Sequence, residues 1–250
     1  MSKKPLTRDE QFLAKAAGDD VPMPKPLTRV QEFLERIVER LSGSVTEETL
    51  DNAIAPLNAS IAQLNRKTIQ FRHGKGTFTA TATGTNVVWQ YGGQKAQGSN
   101  CTFDVKSDNG LITLECDTIE NLTIQNDDKN KMDLSNLGGK ITSSLRLYNC
   151  SNITGDLSDL GGKITSSLNL YNCTNITGVY SGTKYPKTVS VSKTSITSAD
   201  MDANLINFAA SGVKSGTFTA TGMKRTAASD DAVATLVANG WTVSGLTKEG

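Results

Sequence analysis

The chain has 250 residues with 26 basic and 25 acidic side chains, so it carries no basic excess of the kind that holds nucleic acid. Aromatic residues make up 6% and charged residues 20%, and Thr, Ser, Asn and 22 Gly fill the difference, a mixture suited to short strands and turns. No stretch approaches the roughly 20 apolar residues that cross a bilayer, and no apolar run follows Met1, so the expectation is a protein without a membrane segment, made in a cytoplasm. Cys101, Cys116, Cys150 and Cys173 are widely spaced and form no CxxC pair. In a reducing compartment they read as buried thiols, and the Asn-x-Ser/Thr sites at Asn152 and Asn175 carry no weight.

Residues 1–43 contain a duplication. Lys4, Pro5, Leu6, Thr7 and Arg8 recur as Lys25, Pro26, Leu27, Thr28 and Arg29, and each copy reaches a Phe-Leu pair, Phe12-Leu13 and Phe33-Leu34. Thr7 and Thr28 are placed to cap short helices, with Glu10 and Gln31 three residues on to complete a capping box and Leu6 or Leu27 to staple the first turn. Helices of this length are marginal alone in water, so their apolar residues must bury against something else. Two near-copies on a tether containing Pro22 and Pro24 suit a pair of weak docking elements that gain by avidity. Folding back on the same chain is the plainer alternative.

This motif resembles the N-terminus of minor virion proteins of tailed bacteriophages, small head fibre or capsid decoration proteins that attach to the particle. The second copy matches through Ile37, whereas the first carries Ala16 and Ala17 where a larger apolar residue is expected. The resemblance implies virion attachment through Pro5, Leu6, Thr7, Arg8, Phe12, Leu13, Pro26, Leu27, Thr28, Arg29, Phe33, Leu34 and Ile37, with capsid or other virion proteins as partners.

Residues 44–73 read as a helical stalk. Leu50, Ile54, Leu57, Ile61 and Leu64 alternate at spacings of four and three, the a/d seam of a coiled coil, and Thr68 and Phe71 continue it more weakly. Ser44 and Thr46 supply caps, and Pro56 is expected to restart or kink the helix. One amphipathic helix packed on the body is the alternative. Fibres that resemble this layout are homotrimers, which the resemblance implies and the seam by itself does not.

From Gly74 the sequence becomes β-branched and Gly-punctuated, a β-rich repeat body over 74–222. Residues 133–155 recur at 156–178 with few differences, an offset of 23 residues. Leu145 and Leu147, like Leu168 and Leu170, face inward from a strand, and Cys150, Ile153, Cys173 and Ile176 continue the inward set. Leu157 and Leu160 point back to the core, and Gly161 and Gly162 turn the chain towards Ile164. Leu122 and Ile124 fall one period upstream, Val189, Val191 and Ile196 read as a shorter coil, and Ile206, Phe208 and Val213 as the start of another. Gly216–Thr221 then echoes Gly76–Thr81. The pattern is similar to a leucine-rich repeat of the bacterial kind, departing from it at the turn Asn and in carrying Gly-Gly where many members have a helix. Residues 223–250 read as a cap, with a helix from Ser229 and a last strand around Trp241. The expected fold is therefore mainly β: N-terminal short helices and a coiled-coil stalk, then a leucine-rich-repeat-like β-solenoid with a C-terminal helix–strand cap.

Chemistry is thin. His73, the single histidine, reads as a linker residue, and no Ser-His-Asp or Cys-His set can be assembled. Gly138, Gly139 and Lys140, with Gly161, Gly162 and Lys163, lack the P-loop frame and read as turns. Asp127, Asp128, Asp156 and Asp159 could in principle form a glycosidase pair, but the phasing of Asp133 with Asp156 favours solvated turns. No metal or cofactor site is expected. Tyr148 and Asn149 lie one period from Tyr171 and Asn172, a ladder that could contact sugars or proteins. Together with the resemblance of the N-terminal motif, the reading is a non-enzymatic structural component of a phage particle. A tail-associated receptor- or glycan-binding adaptor on the host surface is the alternative.

Overall fold

The computed structural model describes residues 66–249 and, before them, residues 52, 54–58, 60 and 61. The body opens on strand β1 (Lys67–His73), where Ile69, Phe71 and His73 are buried and the residues between them face water. That period of two is the signature of a half-buried strand. β1 pairs antiparallel with β6 (Gly110–Cys116), and β6 in turn with β3 (Val88–Tyr91). β3 turns into β4 (Gln94–Gln97) through Gly92 and Gly93, both at positive φ, as a tight two-residue hairpin requires. With β8 (Asn130–Lys131) on the other side of β1, these strands form a five-stranded antiparallel sheet.

A second sheet of eight strands holds the repeat. β2 (Gly76–Thr85) pairs antiparallel with β5 (Asn100–Val105) on one side and β7 (Thr118–Thr123) on the other. From β7 the pairing becomes parallel through β9 (Ile141–Arg146), β11 (Ser167–Asn169), β13 (Thr188–Ser190), β14 (Thr217–Arg225) and β15 (Thr242–Lys248). The 23-residue offset is visible in this register. Leu122 lies against Leu145, Leu145 against Leu168, Leu168 against Val189, Val189 against Phe218 and Phe218 against Val243. Ala82 of β2 joins the same row opposite Leu122.

Each repeat returns through one turn of 3-10 helix, Leu134–Leu137 or Leu157–Leu160, whose leucines are buried. Asp133 and Asp156 cap these turns by accepting from the backbone and hydroxyl of Ser135 and Ser158. A two-stranded parallel pair, β10 (Thr154–Asp156) with β12 (Asn175–Thr177), completes the repeat. Gly161 and Gly162 sit at positive φ, and a Cβ on Gly162 would come within 2.1 Å of Gly182 Cα. Only glycine fits there.

Helix α1 (Ser198–Ala210) follows, capped by Thr197, whose hydroxyl accepts from Asp200 N at 3.1 Å. Met201, Leu205 and Phe208 are buried at helical spacing, and Phe208 packs against Tyr180, Tyr185, Phe218 and Trp241. Helix α2 (Asp230–Ala238) and β15 close the chain, with Ala232 and Leu236 buried and Val237 exposed. One continuous apolar core runs from Ile69 to Trp241.

The mainly β expectation agrees with this architecture, but the leucine-rich-repeat-like β-solenoid does not. The sheets are antiparallel or mixed, and none closes into a solenoid. The cause lies in residues 67–131, whose alternating strands pair antiparallel instead of adding coils. The coil expected at Ile206, Phe208 and Val213 is α1 and the segment after it, and Ile206 is 44% exposed. No coiled-coil stalk is seen among the described residues. Residues 54–58, 60 and 61 are helical, Pro56 included, but Thr68 and Phe71, which were to extend the seam, lie in β1. Leu50 and Leu64, like the attachment residues from Pro5 to Ile37, lie outside the described residues.

Candidate functional site

The face of the eight-stranded sheet opposite the buried row is lined by polar side chains, small ones apart from Arg146. Thr123, Arg146, Asn169, Ser190, Thr219 and Ser244 stand in one register row, and Asn121, Ser144, Ser167, Thr188, Thr217 and Thr242 in the next. β2 extends the face with Thr77, Thr79, Thr81 and Thr83. Asn121 Nδ2 donates to Thr83 Oγ1 at 2.6 Å and Thr81 Oγ1 to Asn100 Oδ1 at 2.9 Å.

The strands of the parallel part run on by one turn. Asn126 N donates to Tyr148 O and Asn149 N to Tyr171 O, which places Gln125, Tyr148 and Tyr171 in a common row. Asn126, Asn149 and Asn172 follow them, all left-handed with φ from 55 to 58°. Asn tolerates this conformation better than most residues. Their side chains link to one another: Asn149 Nδ2 donates to Asn126 Oδ1 at 2.7 Å, and Asn172 Nδ2 to Asn149 Oδ1 at 3.2 Å. Of the four residues singled out in the sequence, Tyr148 and Tyr171 thus share an outer row, while Asn149 and Asn172 spend their amides inside the turn stack. Tyr171 is exposed, Tyr148 is half-buried, and Lys193 Nζ lies 5.3 Å from the centre of the Tyr171 ring.

Beside this row the sheet divides. β7 stays with β2 as far as the pair Thr81–Thr123 and then bends away to follow β9. Ala82 N donates to Ser99 O beside β5, so the even-numbered residues of β2 direct their backbone groups towards β5 and the odd-numbered ones the opposite way. Thr77 and Thr79 therefore direct backbone N–H and C=O into the gap. Among the described residues no backbone hydrogen bond meets them from that side. The gap is a groove of about 440 Å³, lined by Thr77 and Thr79 on one wall and Gln125, Asn126, Asp127, Asp128 and Lys129 on the other.

Asp127 fixes the second wall. Its Oδ1 accepts from Lys129 N (3.0 Å), Asn130 N (3.1 Å) and His73 Nε2 (3.0 Å), while its Oδ2 is buried without a partner among the described residues. His73 is fully buried on β1, so it is a core residue where the sequence suggested a linker. Its Nδ1 lies 2.5 Å from Gly74 O, so oxygens face both ring nitrogens. Lys129 Nζ is occupied by Lys75 O at 3.0 Å.

The other two candidate carboxylates, Asp156 and Asp159, are structural. Asp156 and Asp159 form a capping box, with Asp159 Oδ2 accepting from Asp156 N. Among the described residues no cluster of three or more His, Cys, Asp or Glu side chains is placed to hold a metal ion. The sequence did not single out the groove, although the repeat pointed to it: one period before Tyr148 and Asn149 stand Gln125 and Asn126.

Comparison with protein-family models, curated proteins and solved structures finds no match to this chain.

Proposed function

We propose that the chain is a non-enzymatic structural component of a tailed-phage particle, a head fibre or capsid decoration protein that is made in the host cytoplasm and incorporated into the virion. The observation that carries this reading is the doubled Lys-Pro-Leu-Thr-Arg motif at 4–8 and 25–29, each copy followed by a Phe-Leu pair. Two linked weak docking elements bind with an effective concentration set by the tether between them. The division of the chain between Ile61 and Ala62 supports it, since attachment and display then belong to different parts. The small polar face of the displayed part suits a surface held in solvent.

The test is incorporation. A chain lacking residues 1–40 should fold and stay soluble but be missing from purified particles, whereas the full chain is present. Particles that carry the shortened chain would falsify the anchor. Homotrimeric self-association belongs to the same reading, and light scattering on the full chain measures it directly, with a monomer counting against it.

A further inference from the structure

We infer that the groove between β2 and residues 125–129, together with the neighbouring Tyr148 and Tyr171, is a binding site for a neutral oligosaccharide. The site is distinct from the attachment motif, and the inference holds wherever the N-terminus docks.

Three observations lead there. The first is the lining. Thr77 and Thr79 offer hydroxyls, Gln125 and Asn126 lie opposite, and the backbone of Thr77 and Thr79 adds donors and acceptors that no strand meets among the described residues. Such a wall matches a ligand that presents alternating hydroxyl donors and acceptors along its length. An extended peptide would meet the same backbone groups, but peptide recognition at a sheet edge also needs pockets for alternate side chains. Among the described residues no apolar side chain lines this groove.

Charge is the second. Asp127 and Asp128 both line the groove with one ammonium, Lys129, whose Nζ donates to Lys75 O, while Lys193 stands by Tyr171 at the far end of the row. Asp127 is nine-tenths buried with Oδ2 unpartnered among the described residues. The two carboxylates outnumber the one ammonium in the groove, which favours a neutral chain there over a sulfated, sialylated or phosphate-bearing one.

The third is the continuation across the sheet. Gln125, Tyr148 and Tyr171 occupy successive strands, so the row spans about 10 Å at the usual strand spacing. Exposed Tyr171 and, in part, half-buried Tyr148 offer apolar ring surface with a polar hydroxyl, suited to the C–H face of a pyranose. The groove volume falls within the range of small-molecule sites.

The experiment uses the full chain on an array of neutral oligosaccharides of glucose, galactose, rhamnose and N-acetylhexosamines, with sialylated and sulfated chains as the contrast. Retention of at least one neutral oligosaccharide and no acidic one is expected. Calorimetry with the retained sugar should then show affinity falling about tenfold or more in Gln125→Ala and in Tyr171→Ala. Both residues are exposed, so the thermal midpoint should not move. The inference is overturned if nothing on the array is retained, if acidic chains are preferred, or if Gln125→Ala binds as the unaltered chain does. Capture of extended peptides instead of sugars also overturns it.

Discussion

Nε2 of His73 and Oδ1 of Asp127 stand 3.0 Å apart in the interior, joining the first strand of the body to the wall of the groove. Asp127 also holds two backbone N–H groups, so its carboxylate organises the turn that separates β7 from β2. Replacing it by Ala leaves three donors unpaired and should cost about 3 kcal/mol in urea unfolding. His73→Phe removes the ring nitrogens while keeping most of the volume, and it should cost less than Asp127→Ala. If His73→Phe is the more damaging variant, the imidazole and not the carboxylate organises the turn.

Asp202 makes the C-terminal part sensitive to acid. Burial by itself raises its carboxyl, but hydrogen bonds from Ser229 and Thr226, with Arg225 nearby, outweigh this and hold it below the ordinary aspartate value. A native pKa lower than the unfolded one contributes stability that is full above the unfolded value and disappears as pH falls through the native one. Asp202→Asn should therefore be clearly less stable than the parent chain near neutrality. The gap should close as chemical unfolding is repeated at increasingly acid pH, and a constant gap would count against the assignment.

Gly139 and Gly162 hold the same place in successive repeats, and both have positive φ. A Cβ at Gly139 meets only the far end of Lys163, at 3.5 Å, whereas at Gly162 it would strike Gly182. Gly139→Ala should cost about 1 kcal/mol from backbone conformation alone. Gly162→Ala should cost about 2–4 kcal/mol, because overpacking is added. Equal thermal shifts for the two would mean that the 162–182 contact does not form.

The stacked amides give a contrast at one position. Asn149→Gly relieves its left-handed backbone but removes two side-chain links, and Asn149→Ala loses the links and keeps the strain. Unfolding should rank the parent above Gly and Gly above Ala, with about 2 kcal/mol between the ends. A Gly variant more stable than the parent would show that the links contribute nothing.

Thiol titration reports on the core. Cys101 and Cys150 are pushed by burial up to about 12, and Cys116 and Cys173 up to about 11. All four are free and buried. A disulfide reagent should find no fast-reacting thiol in the folded chain and four after unfolding.

The sequence made the parallel part readable because identical residues recur in phase: Leu145 with Leu168 and Cys150 with Cys173 each kept its inward position. The antiparallel part has no such recurrence. β1 spells a strand through Ile69, Phe71 and His73, yet it follows a heptad-like run and was absorbed into the helical register. α1 hid for another reason. Met201, Leu205 and Phe208 have helical spacing, but Asp202 and Asn204 are buried beside them and blur the apolar stripe. Each has a partner across the chain, Thr226 and Ser229 for the first and Gly178 and Tyr180 for the second. The groove was invisible because it arises where two pairing directions part, a property of topology that no local motif encodes.

The row Ala82, Leu122, Leu145, Leu168, Val189, Phe218 and Val243 passes from antiparallel to parallel neighbours without a gap. Rungs shared in this way tie the antiparallel and parallel parts into one core. Heat or denaturant should take residues 66–249 apart in a single cooperative step, and damage at any rung should lower the midpoint of the whole.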